Sequence, residues 1–80
     1  MNSVKIRLYA SARSAAGFSE IDANPGTLSE ILSGLSSANP LLQGVLLRCT
    51  FLIDGTTNHD FEIRVVAGSV IDILPPFAGG

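Results

Sequence analysis

The sequence predicts an α+β roll, in which one amphipathic helix is laid across a mixed sheet. Three observations predict it. Val4-Lys5-Ile6-Arg7-Leu8-Tyr9 and Ile71-Asp72-Ile73 alternate apolar and polar residues with the two-residue period of half-buried strands. Leu28, Ile31, Leu32 and Leu35 recur at i, i+3, i+4 and i+7, which gathers them on one stripe of a helix. Eighty residues, 46% of them apolar, suffice for one modest core and not for two.

The elements follow in order. In the first strand Val4, Ile6 and Leu8 face the core and Lys5, Arg7 and Tyr9 face outward. Ala10 to Ala16 is Ala-rich and fit for a helical turn, closed by Gly17. Phe18 to Ala23 is a second short strand with Phe18 or Ile21 inward, followed by the turn Asn24-Pro25-Gly26. Thr27-Leu28-Ser29-Glu30 has the form of a capping box, in which a threonine hydroxyl and a glutamate three residues on satisfy each other's orphan amides. The helix so opened ends at Asn39-Pro40, and Gly34 sits inside it, as if to permit close packing.

Leu41 to Leu47 fits either a second short helix or an extended cover over the core. Cys49 to Ile53 is a third strand, and Asp54-Gly55 signals a tight turn. Thr56 to Phe61 is expected to return as a polar edge strand. Val65-Val66 reads as an apolar plug, and Ala67-Gly68-Ser69 as the turn into the last strand, Val70 to Leu74, with Asp72 outward. A right-handed crossover through the helix allows the first and last strands to lie parallel at the sheet centre, which is a β-grasp.

Composition removes several function classes. The net charge is −2 and the five basic residues, Lys5, Arg7, Arg13, Arg48 and Arg64, are dispersed, so no nucleic-acid footprint is present. A single cysteine excludes an internal disulfide and suits a reducing compartment. No apolar run approaches a membrane span, and Lys5 and Arg7 interrupt the only candidate signal region. The expectation is a soluble cytoplasmic protein that touches neither membrane nor nucleic acid.

The most informative stretch is Ile71-Asp72-Ile73-Leu74-Pro75-Pro76-Phe77-Ala78-Gly79-Gly80. Pro75 and Pro76 lack backbone donors and have fixed φ, so they stop the ladder and send the chain onward extended. Residues 77–80 reach at most about 13 Å beyond them. Gly79 and Gly80 lack a Cβ and can thread a channel too narrow for other residues, presenting a carboxylate at the tip. The bland alternative is a frayed terminus. Residues 1–76 are thus read as the domain and 77–80 as a flexible working tail.

These residues carry a resemblance. The Pro-Pro-x-x-Gly-Gly ending, the Asp54-Gly55 turn, the Gly68 turn, and Leu8-Tyr9-Ala10-Ser11-Ala12-Arg13 followed by Gly17 resemble the small, sulfur-carrying subunit of molybdopterin synthase, a ubiquitin-like family. The chain departs at Gly68-Ser69, where that family often has Gly-Asp. The thiamine-pathway sulfur carrier shares the Gly-Gly end and is the runner-up. The resemblance implies that an E1-like adenylyltransferase uses ATP to activate Gly80. A sulfur donor protein then converts Gly80 to a thiocarboxylate, and the sulfur passes to cyclic pyranopterin monophosphate in the large synthase subunit, within a heterotetramer. Gly80 is then the covalent carrier and Gly79 the slender neck. No cofactor is expected on this chain, which is not an enzyme on its own.

A carrier needs a docking face. Tyr9, Leu74, Pro75, Pro76, Phe77 and Ala78 are the expected partner contacts, joined by Phe51 with Ile53 or by Leu52 alone, with Lys5, Arg7 and Asp72 as a polar rim. Isolated surface hydrophobes are the ordinary alternative. Cys49 is expected to be a small buried hydrophobe and His59 an exposed loop residue. Asp54, Asp60 and Glu62 lack the spacing of a metal loop. A conjugating ubiquitin-like modifier and a passive β-grasp interaction module are the competing function classes.

Overall fold

A computed structural model describes residues 2–76. Its elements are β1 (Val4–Leu8), α1 (Ala10–Ala16), β2 (Glu20–Ala23), β3 (Gly26–Thr27), α2 (Leu28–Ser37), α3 (Pro40–Leu46), β4 (Thr50–Ile53), β5 (Thr56–Asn58), β6 (Arg64–Val65) and β7 (Val70–Leu74). Five strands form one sheet in the order β2-β1-β7-β4-β5, and β3 and β6 form a separate two-stranded ribbon. β1 and β7 lie parallel at the centre, and the other pairs are antiparallel. This is the β-grasp arrangement expected from the strand and helix order.

The alternation in β1 sorts the faces as expected: Val4, Ile6 and Leu8 are buried, whereas Lys5 and Arg7 are exposed. From β7, Ile71 and Ile73 join the same core with no accessible surface. The stripe of α2 closes over them through Leu28, Ile31, Leu32 and Leu35, and Leu42 and Leu46 of α3 complete the layer. Each such side chain removed from water stabilises the fold by roughly 1.5–3 kcal/mol before entropy is counted.

The capping box forms as the sequence indicates. Glu30 N–H donates to Thr27 Oγ1 at 3.1 Å, and Thr27 N–H donates to Glu30 Oε1 at 2.8 Å. Gly26 is buried directly beneath it, and a Cβ there would stand 2.9 Å from Glu30 Oε1. The next two orphan amides of α2 find tertiary partners: Leu28 N–H donates to the Ile63 carbonyl and Ser29 N–H to the Phe61 carbonyl.

That tertiary cap explains where the expected edge strand stops. β5 ends at Asn58, short of Phe61, because the chain turns under the sheet to offer those carbonyls. Phe61 there packs edge-on against Phe51, with ring centroids 5.8 Å apart. The β3–β6 ribbon, two residues per strand, is too short to leave a periodic signal in the sequence. β2 begins at Glu20 and not at Phe18, and Leu41–Leu47 resolves as α3 with Pro40 at its first turn. Gly34 does not serve close packing, since a Cβ there would meet nothing within 4 Å.

Asp54 (φ +50°) and Gly55 (φ +83°) both take the left-handed conformation of a mirror-type hairpin turn, so the Asp-Gly signal is realised. The same turn ties β4 to β7. Asp54 N–H donates to the Val70 carbonyl, and Val70 N–H donates to Asp54 Oδ1, each at 2.9 Å.

Candidate functional site

The site is the end of β7 and the sheet face beside it. Because β7 lies between β1 and β4, its last residues emerge at the centre of the sheet and not at an edge. Leu74 is the last laddered residue, opposite Thr50 of β4. Pro75 is buried and Pro76 exposed, so the ladder stops where the prolines remove the donors. The expected site residues Phe77, Ala78, Gly79 and Gly80 lie outside the described residues.

Register decides the outer face. Leu52 stands opposite Asp72, while Phe51 and Ile53 stand opposite the core residues Ile73 and Ile71. Phe51 is buried and Ile53 packs against the core. Of the two alternatives left open by the sequence, Leu52 alone therefore belongs to the outer face. It is joined there by half-buried Leu74 and Val70.

Tyr9 also lies on this face. Its backbone N–H donates to the Ile73 carbonyl at 3.2 Å, holding it beside the end of β7. Its hydroxyl reaches across to donate to Asp72 Oδ1 at 3.0 Å. The same oxygen accepts from Arg7 Nε at 2.9 Å. Asp72 is consequently no exposed rim group as expected: at 8% exposure it is covered by the two side chains it binds. Pairing makes such burial tolerable, since the carboxylate keeps charge-assisted partners in place of water. Arg7 and Lys5 remain exposed, and Lys5 Nζ pairs with Glu20 Oε2 at 2.9 Å.

These bonds tune the groups that make them. The hydrogen bond to Asp72, aided by partial desolvation, raises the Tyr9 phenol above its usual 10.0. The hydrogen bond to Asp72 likewise raises Arg7, and that to Glu20 raises Lys5. The face is thus a phenol and two paired cations set among Leu52, Val70 and Leu74. Sequence reasoning placed Tyr9 and Leu74 there but missed the centrality of Asp72, because Arg7 and Asp72 are 65 residues apart and only the parallel register aligns them.

Cys49 is half-buried and packs against the core, its thiol donating to the Val45 carbonyl at 3.2 Å; burial pushes its pKa up to about 11. His59 is exposed. Among the described residues, no three His, Cys, Asp or Glu side chains are grouped so as to hold a metal ion. No helix among them is long and apolar enough to cross a membrane.

Solved structures share this fold across nearly the whole chain. The small archaeal modifier protein 1 of Methanosarcina acetivorans is 27% identical with a TM-score of 0.85, covering 100% of this chain and 98% of that one. Subunit 1 and 2 of the molybdopterin-converting factor from Helicobacter pylori form a complex containing a similar chain, at 19% identity and TM-score 0.74, covering 98% and 99%. A chain in the BexX/CysO complex of Amycolatopsis orientalis matches at 20% identity and TM-score 0.80, covering 96% and 99%. Among curated proteins, none matches the sequence at a significant level. Residues 6–80 match the ThiS family, and with the parallel central strands and the Pro-Pro-x-x-Gly-Gly ending they make this chain a member of that family of ubiquitin-like sulfur carriers.

Proposed function

We propose that this chain is the sulfur-donating small subunit of a molybdopterin synthase, with Gly80 as the atom-carrying residue. The observation that carries the reading is the central β7, whose Ile73 carbonyl holds Tyr9 and which runs through Leu74 into Pro75 and Pro76, with Phe77-Ala78-Gly79-Gly80 still to follow in the sequence. A carboxylate is a poor electrophile, because its oxygen is a poor leaving group. Adenylation by an E1-like partner corrects this: a Gly80 carboxylate oxygen attacks the α-phosphorus of ATP, pyrophosphate leaves, and an acyl-adenylate forms. Sulfide-level sulfur (HS⁻) delivered by a donor protein then attacks the acyl carbon, the C–O bond to phosphate breaks and AMP leaves, giving the thiocarboxylate. Its sulfur passes to cyclic pyranopterin monophosphate held by the large subunit.

Phe77-Ala78-Gly79-Gly80 carries no side chain able to act as an acid or a base, so we assign these groups to the partners. The face bearing Tyr9, Leu52 and Leu74 is the handle those partners grip. The similarity to a molybdopterin-converting factor complex supports this reading. The similarity to a small archaeal modifier favours a second one, in which activated Gly80 is transferred to a lysine of a target protein.

Intact mass spectrometry after incubation with the adenylating enzyme, ATP and a sulfur source tests both. Replacement of one oxygen by sulfur in the C-terminal fragment, followed by its loss on adding the large subunit and the pterin precursor, is the expected result. Adducts on target lysines without sulfur transfer would establish the modifier reading instead. No mass change with the cognate enzyme would sink both.

A further inference from the structure

We propose that the open edge of β2, with the groove between it and α2, binds an extended, basic peptide segment of a partner by strand addition. This is a second surface, separate from the Tyr9 face, and it does not rest on the sulfur-carrier reading.

Three observations carry it. The first is an unpaired backbone edge. β2 ends the five-stranded sheet, and Leu8 N–H bonding to the Ser19 carbonyl sets the alternation of its ladder with β1. In that register Ile21 and Ala23 turn their backbone groups toward β1, while those of Glu20 and Asp22 point to the free edge. Among the described residues nothing bonds to those outward groups. A strand laid there gains main-chain hydrogen bonds at once.

The second is a receptive groove. A cleft of about 430 Å³ runs beside this edge, floored by Ile6 and Ile21 and walled by Ile31, Gly34 and Leu35 of α2. Ile21 is 38% exposed, although it faces the core side of the sheet. Gly34 is the decisive residue. Glycine within a helix costs about 1 kcal/mol against alanine, and here no packing requires it, since a Cβ would project into empty space. What its missing side chain leaves is an unobstructed wall. Alternate side chains of an added strand would point into this cleft, which suits valine or isoleucine.

The third is charge. Asp22 and Glu30 line the cleft and Glu20 lies beside them on the edge; Glu20 is paired with Lys5 and Arg64 lies close enough to act on Glu30, but among the described residues Asp22 forms no ion pair. An occupant with lysine or arginine flanking its apolar residues is complementary; an acidic one is repelled. The short, charged edge also resists pairing with a second copy, because Glu20 and Asp22 would meet their own kind.

The test uses the intact chain and a synthetic peptide of alternating valine and threonine with two lysines at each end. Titration followed by backbone amide NMR should shift Glu20, Asp22, Gly34 and Leu35, and hydrogen exchange at Glu20 and Asp22 should slow. Gly34→Leu, which fills the cleft without disturbing the core, should weaken binding at least about tenfold, a loss of 1.4 kcal/mol. It should not lower thermal stability, since leucine is a better helix former than glycine, and it should leave thiocarboxylation of Gly80 unchanged, so failure here is distinguishable from failure of the proposed function. Asp22→Lys should weaken binding and reduce its salt dependence. Perturbations confined to the Tyr9 face, equal binding of a peptide with glutamates in place of the lysines, unchanged affinity in Gly34→Leu, or protection of the β2 edge by self-association alone would each overturn the proposal.

Discussion

Tyr9 and Asp72 meet across the β1–β7 seam, the phenol donating to Asp72 Oδ1 at 3.0 Å although 63 residues separate them. The acceptor oxygen is shared with Arg7 Nε at 2.9 Å, so one nearly buried carboxylate orients both a phenol and a guanidinium on the sheet face beside the chain's exit. Removing it should loosen the two together. Asp72→Ala is expected to cost about 1–3 kcal/mol, toward the lower end because both partners can turn to water. Urea unfolding should show a lower midpoint with an unchanged slope. An equal midpoint in the variant would mean that the network contributes nothing.

The single tyrosine makes its own titration readable. Its pKa is raised first by the bond to Asp72 and then by desolvation. The midpoint of tyrosinate absorbance should therefore lie above 10.0 in the folded protein and fall back toward it in Asp72→Asn. The raised value means that the folded state holds this proton more tightly. The contribution to stability is thus complete below pH 10 and is lost as pH rises through the folded pKa.

The capping box predicts an effect at the other end of the pH scale. Hydrogen bonds from Thr27, backbone first and then side chain, hold the Glu30 carboxyl below its usual 4.5. A depressed carboxyl stabilises above that value and ceases to do so as pH falls through the folded pKa. Thr27→Ala should cost about 1 kcal/mol near neutrality. Because Thr27→Ala keeps the backbone donor, the acid limb is tested in Glu30→Gln, which removes the titrating carboxyl and should flatten that limb; a limb of unchanged steepness would refute the link.

Two glycines should respond oppositely to alanine. Gly34 has ordinary helical surroundings and open space, so Gly34→Ala should stabilise by about 0.5–1 kcal/mol. Gly17 has equal space but φ +85° at the end of α1, so Gly17→Ala should destabilise by about 1 kcal/mol. Thermal melts of the pair separate backbone strain from steric room.

Cys49 should behave as a structural thiol. With its pKa pushed up to about 11 and its surface half-buried, alkylation at neutral pH should run far slower than that of a small free thiol. Labelling should accelerate on addition of denaturant. Fast labelling of the folded protein would show that the thiol is not held as described.

Local signals carried much of this fold. The alternation of β1, the Leu28-Ile31-Leu32-Leu35 stripe, the Thr27–Glu30 box and the Asp54-Gly55 turn each concern residues within a few positions of one another, and each appears where the sequence places it. The site was legible in part for the same reason. Tyr9 and Leu74 fall on the outer face by simple alternation, and the Pro75-Pro76 stop needs no distant partner.

What sequence alone determined was periodicity, capping and the proline stop, because those depend on backbone geometry and immediate neighbours. Tertiary structure alone decided which strand lies beside which. That choice brought Arg7 and Tyr9 to Asp72, turned Leu52 rather than Phe51 outward, ended β5 at Asn58 so that Phe61 and Ile63 could cap α2, and left β2 with an open edge. The physical reason is that pairing register is a contest among distant segments for the same core, and a shift of one residue exchanges the faces.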